Sequence, residues 1–162
     1  MREQLRKRLE GRTEEGFTLI ELMVVVLIIA ILLAIAIPSF LGARARAQDR
    51  AAQSNLRNAL TAEKTYYTDA QAYTNTLTAM QAIEPSLNWI TGTPTANSKD
   101  VAVDKASVAT PTAVPDAVVC LTALSASGTT FAIKDVASGT NAGTYFYKNA
   151  ITCDESVGPL KW

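Results

Sequence analysis

Twenty-one residues in a row, from Phe17 to Ile37, are apolar with the exceptions of Thr18 and Glu21. As an α-helix this segment would be about 30 Å long, which matches the thickness of a bilayer's hydrocarbon layer. Its Val, Ile, Leu and Ala side chains would cover every face, so the segment is not an amphipathic surface helix. It therefore either spans a membrane or fills the interior of an assembly.

The helical pattern continues past Pro38 but becomes one-sided. Residues 39–70 are rich in Ala, Arg, Gln and Leu, which favour helix. Apolar residues recur there at helical spacing, at Ala52, Leu56, Ala59 and Leu60. We predict one long helix whose second half, 39–70, packs one stripe on a globular domain. Pro38 is expected to kink this helix, and Gly42 is a second weak point.

Residues 71–162 have the pattern of a small globular head. Leu77, Met80 and Ile83 predict a short helix that ends before a proline, and the Gly- and Pro-containing segment 91–116 predicts mostly loop. Three runs rich in β-branched and aromatic residues follow, at 117–124, 129–136 and 144–149. Short glycine-containing connections between them favour an antiparallel meander. The expected fold class is α+β, with a long N-terminal helix packed on an antiparallel sheet.

The composition argues against an enzyme. Without histidine the chain lacks Ser-His-Asp catalysis, Cys-His catalysis and histidine-ligated zinc. Its two cysteines, Cys120 and Cys153, are too few for a thiolate zinc site, and they form either one disulfide or two buried thiols. Export to an oxidising compartment would favour the disulfide. We expect no metal and no cofactor. The four arginines that follow the apolar segment are typical of a solvated or inter-subunit face, so no specific nucleic-acid site is expected: Arg44, Arg46, Arg50 and Arg57.

The most specific motif joins the two N-terminal segments. A charged leader, residues 1–16, ends in Gly16, and the apolar helix follows with the sequence Phe17-Thr-Leu-Ile-Glu21. A single carboxylate thus stands four residues after Phe17, inside an otherwise apolar segment. This architecture closely resembles the type IV prepilins, in their type IVa-like form, and the related secretion pseudopilins.

That resemblance implies a processing and assembly route. A prepilin peptidase would cut between Gly16 and Phe17, and the new amine of Phe17 would be N-methylated. The mature chain would be held in the inner, cytoplasmic membrane by a single pass, 17–38. Assembly machinery with a cytoplasmic ATPase would then move it into an extracellular helical homopolymer, the pilus. Adhesion, twitching motility and DNA uptake are the tasks that the family suggests.

Glu21 also has a physical reason of its own. A carboxylate in hydrocarbon costs several kcal/mol unless it is neutralised or paired, and the amine of Phe17 is the available counter-charge. We expect this pairing, within one chain or between neighbouring subunits, to set the assembly register. The alternative is local, because Thr18-Leu-Ile-Glu21 also fits a helix capping box.

Three other routes are open to such a chain. A pseudopilin of a type II-like secretion system has the same architecture, although no acidic, glycine-rich calcium loop is visible near the C-terminus. A conventional secretory signal could be cut after Ala36, which would release a soluble binding domain that begins at Ile37. An uncleaved single-pass anchor is the third. The mature N-terminus separates these routes from a pilin.

Overall fold

The structure is a computed structural model that describes residues 16–97, 99–104, 117–139, 142–149 and Cys153. Most of the leader predicted at 1–16 lies outside these residues. The described chain contains two helices, α1 (Leu19–Ala70) and α2 (Leu77–Ile83). Its five strands are β1 (Asn88–Ile90), β2 (Asp100–Asp104), β3 (Val118–Leu124), β4 (Thr130–Val136) and β5 (Gly143–Lys148).

The predicted long helix is confirmed, since α1 extends without interruption over 52 residues and contains Pro38. It ends at Ala70, where Gln71 takes a left-handed conformation with φ 56° and donates its N–H to Tyr67 O at 2.8 Å. Such a residue is a usual way to end a helix, because it redirects the chain and satisfies a terminal carbonyl. The chain separates into two compact units, with the division between Leu41 and Gly42.

The second unit is built around a sheet with the strand order β1-β2-β3-β4-β5. One face of the sheet packs with the C-terminal half of α1 in a shared core. From the helix this core takes Ala52, Leu56, Ala59, Leu60 and Ala62, and from the central strands Val101, Val103, Val119, Leu121, Phe131 and Ile133. The stripe predicted on residues 39–70 is therefore the buried face of the helix.

The α+β class and the three predicted strands β3, β4 and β5 are confirmed, and both pairings among them are antiparallel. One expectation was wrong: the sheet is mixed, because β1 pairs parallel to β2. Within the segment predicted to be mostly loop, the structure adds one strand that was not predicted, β2 (Asp100–Asp104). Five residues with only two valines in alternation give a weak strand signal, and β2 forms because β1 and β3 pair with it on both sides.

Asp100 explains how the connection between β1 and β2 is held. Its buried carboxylate accepts hydrogen bonds from Asn88 Nδ2 at 2.8 Å, from Asn97 Nδ2 at 3.0 Å and from the hydroxyl of Thr95. A buried carboxylate is tolerated only when donors replace its water. These bonds therefore secure the described residues 91–97 to the sheet.

A second buried carboxylate, Asp135 on β4, ties the sheet to α1 and to the connection after it. It accepts hydrogen bonds from the hydroxyls of Tyr73 and Thr144, and it forms an ion pair with Lys64 Nζ at 3.0 Å. Burial, and then the hydrogen bond to Asp135, raises the pKa of Tyr73 above its ordinary value of 10.0. The neutral phenol is thus the form that the folded head favours.

This arrangement predicts alkaline sensitivity. A folded-state pKa above the unfolded one contributes stability that is full below about pH 10 and is lost as the pH rises further. Between pH 10 and 12 the free energy of unfolding should fall less steeply in Tyr73→Phe than in wild type. The difference between the two slopes should be up to about 1.4 kcal/mol per pH unit. Denaturant titrations at a series of pH values measure this slope. The control is Tyr66→Phe on α1, and equal slopes for wild type and Tyr73→Phe would contradict the assignment.

Candidate processing and assembly site

The predicted cleavage point lies just outside the helix. Gly16, Phe17 and Thr18 are exposed and have no regular secondary structure, and α1 begins at Leu19. A Cβ placed on Gly16 would meet no atom within 4 Å. The chain itself therefore has room for a larger side chain at this position. Any requirement for glycine at this position would therefore come from outside the described chain.

The first turn of α1 is closed by a reciprocal cap. Glu21 Oε2 accepts a hydrogen bond from Thr18 N at 2.9 Å and another from Thr18 Oγ1 at 2.7 Å. In return, Glu21 N donates to Thr18 Oγ1 at 3.3 Å. This is the capping box that the sequence suggested as an alternative, and it satisfies backbone donors that the helix start leaves without partners.

The cap does not remove the electrostatic cost of Glu21 in an apolar environment. The carboxylate borders a shallow apolar groove whose lining includes Phe17, Ile20, Val24 and Val25. A neutral threonine supplies hydrogen bonds but no opposite charge. The capping role and the predicted pairing with the amine of Phe17 are therefore compatible, because the carboxylate has two oxygens and several acceptor positions.

The apolar segment is exposed along its whole length. All described residues from Gly16 to Leu41 are exposed, including large side chains such as Phe17 at 84% and Ile35 at 71%. Soluble monomers rarely expose an apolar surface of this extent, which marks a membrane or protein contact. By length and composition this part of α1 can cross a membrane.

The structure shows the surroundings of Pro38 and Gly42, the two positions where a kink of α1 was predicted. The helix continues through Pro38, so the kink predicted there and at Gly42 stays a prediction. At Gly42 the structure adds a feature that the sequence did not indicate. The guanidinium of Arg46 lies over this glycine, with Nη1 3.4 Å from the position a Cβ would occupy.

The two cysteines form a disulfide between β3 and the C-terminal region. Cys120 and Cys153 are bonded, with their Cα atoms 5.8 Å apart, and both are buried. They belong to a small apolar cluster that is separate from the core shared with α1 and that also contains Val118, Ala132, Val136 and Tyr147. The disulfide alternative is thus the one the structure shows.

Loss of this bond should lower the stability of the head. The loop it closes spans 33 residues, and chain entropy alone predicts a loss of about 4 kcal/mol in the free energy of unfolding. We expect the double variant Cys120→Ala/Cys153→Ala to show this loss in denaturant titrations. Reduced wild type should match it, and an unchanged midpoint after complete reduction would contradict the prediction.

No group of three or more His, Cys, Asp or Glu side chains that could hold a metal occurs within the described residues. The features that the structure brings together are an exposed Gly16–Phe17 junction, a capped helix start with one carboxylate, and a long exposed apolar surface. They offer a surface for binding.

Comparison with known proteins agrees with the resemblance that the N-terminal motif indicated. Residues 11–37 match the family model of the prokaryotic N-terminal methylation motif. The chain is 48% identical over 60 residues to the type IV major pilin protein PilA of Myxococcus xanthus, covering 37% of this chain and 27% of that protein. It is 44% identical over 69 residues to the type IV wide pilus major component PilA4 of Thermus thermophilus, covering 43% of this chain and 53% of the relative. No solved structure matches the chain.

These matches span about a quarter and about half of the two curated relatives. The matched motif covers the predicted cleavage point, the capped helix start and the apolar segment through Ile37. Both relatives are named as major components of type IV pili. By its methylation motif and by these matches, the N-terminal part of the chain is similar to that of the type IV pilins.

Proposed function

We propose that this chain is a structural subunit that polymerises into a type IV pilus on the bacterial surface. The observation that carries the proposal is the apolar segment from Phe17 to Leu41, which is exposed along its length and overlaps the motif matched at residues 11–37. Such a surface is stable only when lipid or other copies of the chain cover it.

In this proposal lipid covers the apolar segment first, and other copies of the chain cover it later. A prepilin peptidase cuts between Gly16 and Phe17, and the amine of Phe17 is N-methylated. The apolar segment first holds the mature chain in the inner membrane. Machinery driven by a cytoplasmic ATPase then transfers it to the filament, where the apolar helices of many copies bury one another. Repeated contacts that do not close into a ring generate the filament.

Glu21 has a proposed role in the register of these contacts. A new subunit brings an amine at Phe17 into an apolar environment, and that amine is stable only beside a carboxylate. The incoming subunit is therefore most stable at the axial position where its amine pairs with the carboxylate of Glu21. The capping bonds from Thr18 support this role, because they fix the carboxylate at the helix start.

The relatives' names favour a pilus over a pseudopilin role, since both name a pilin or a pilus component. The experiment that tests the function is immunogold electron microscopy of cells that express this chain, with a deletion strain as control. We expect long surface filaments labelled along their length by an antibody against the head. Efficient secretion that depends on the chain, without labelled surface filaments, would instead support the pseudopilin function.

A further inference from the structure

Three arginines lie on α1 shortly after its apolar segment: Arg44, Arg46 and Arg50. All three are exposed. Within the described part of the chain none of them takes part in an ion pair. The first buried residue of the helix is Ala52, and in this stretch Asp49 already contacts Ser127 of the head while the three arginines stay exposed. We call these three residues the arginine collar.

The start of the collar lies at the level of lipid headgroups when the apolar segment spans a bilayer, whereas Arg50, about 14 Å beyond Leu41 along the helix, reaches them only through its side chain. Arg44 is three residues beyond Leu41, which corresponds to about 5 Å along a helix. The headgroup layer is about 5–7 Å thick on each side of the hydrocarbon. Helical side chains lean toward the N-terminus, and the guanidinium of Arg46 reaches back to Gly42 in this way. This brings the charge of Arg46 closer to the membrane than its backbone is.

The distribution of the three charges around the helix fits a lipid surface better than a protein partner. Successive helical residues are rotated by about 100°, so Arg44 and Arg46 point to nearly opposite sides, and Arg50 shares the side of Arg46. One protein surface would contact one side of the helix. Lipid headgroups surround it. Arginine is also well suited to this ligand, since its planar guanidinium binds phosphate oxygens through two hydrogen bonds.

The collar also needs an explanation because positive charge beside a span normally favours the cytoplasmic side. If the leader faces the cytoplasm and the head faces away from it, the collar lies on the opposite side. The nearest carboxylate in the sequence, that of Asp49, is engaged elsewhere: it accepts a hydrogen bond from the hydroxyl of Ser127 in the β3–β4 turn. Contacts with phosphate would offset the cost of keeping three cations at this position.

We propose that the arginine collar binds the phosphate groups of membrane lipids in the leaflet that faces away from the cytoplasm. The inference rests on the proposed function, because it concerns the stage at which the mature chain is held in the membrane. The collar fixes the depth of the apolar segment and keeps Gly42 at the boundary between hydrocarbon and headgroups.

The mature chain makes a direct test feasible, since its arginines are confined to positions 44, 46, 50 and 57. The chain from Phe17 to Trp162, labelled with ¹³C at arginine Cζ, is reconstituted into phosphatidylcholine vesicles that contain phosphatidylglycerol. Solid-state NMR then measures dephasing of the Cζ signals by lipid ³¹P. The collar variant is Arg44→Gln/Arg46→Gln/Arg50→Gln, and the matched control is Arg57→Gln. Glutamine preserves helix propensity at these exposed positions.

We expect clear dephasing in wild type and in Arg57→Gln, and loss of dephasing in the collar variant, where Arg57 alone carries the label. A membrane-inserted wild type without dephasing, or a collar variant that dephases equally, would overturn the proposal. A third outcome combines two results: membrane-inserted wild type shows no dephasing by lipid ³¹P, and the collar variant forms no filaments in cells. That outcome would overturn lipid binding and would indicate that the collar binds a second copy of the chain. A chain that alkaline carbonate extracts from the vesicles would contradict the membrane-held stage of the proposed function as well.

Discussion

Replacing Gly16 with valine should leave the chain uncut, with residues 1–16 still attached, and should reduce surface filaments to the background of a deletion strain. The space around Gly16 is open, so valine disturbs no contact within this chain. The effect would arise in the peptidase site, which must accept the residue before the cut. Immunoblots of whole cells and of sheared surface material measure both results.

The leader offers a matched control at its other glycine, Gly11. Gly11→Val makes the same chemical change five residues earlier and should leave processing and filament yield near wild type. Normal cutting of the Gly16→Val chain would contradict the proposed cleavage point. Loss of processing in both variants would show that the leader tolerates no branched side chain, and position 16 would have no special role.

Replacing Glu21 with glutamine should abolish most filament assembly while leaving cleavage intact. Glutamine can still accept the hydrogen bonds from Thr18, so the capping box is preserved. Only the negative charge is lost. An uncompensated buried charge costs about 3–5 kcal/mol, which corresponds to roughly a hundredfold or more in an association equilibrium. Quantitative blots of sheared filaments from cells with equal amounts of processed chain measure the loss.

A complementary variant separates the charge from the cap. Thr18→Ala removes the hydroxyl that Glu21 uses in the cap but keeps the carboxylate. The helix start should lose about 1 kcal/mol, and filaments should still form. If Glu21→Gln assembled normally while Thr18→Ala did not, the register role of Glu21 would be wrong and capping would be its whole function.

Features determined by local sequence were predictable. The strands β3, β4 and β5 are runs of β-branched and aromatic residues bounded by glycine-containing turns, and α1 has a sustained helical pattern. The capping box is visible because Thr18 and Glu21 are three residues apart. The disulfide was one of two alternatives for a chain with two cysteines.

Features that depend on distant pairing were not predictable in the same way. Strand β2 exists because β1 and β3 flank it, and its own five residues give little strand signal. Tyr73 and Asp135 are 62 residues apart, so no local pattern links their buried hydrogen bond. The position of the Arg46 guanidinium over Gly42 depends on side-chain direction, which residue spacing alone did not reveal.

The most direct test of the account is the mass of the intact chain and of its N-terminal peptide, taken from filaments sheared from the cell surface. We predict a chain that begins at N-methylated Phe17 and contains the Cys120–Cys153 disulfide. A filament subunit that begins at Met1 would contradict the processing route. A chain that begins at Ile37 and is found only in the medium would show a secreted domain and would contradict the pilin function.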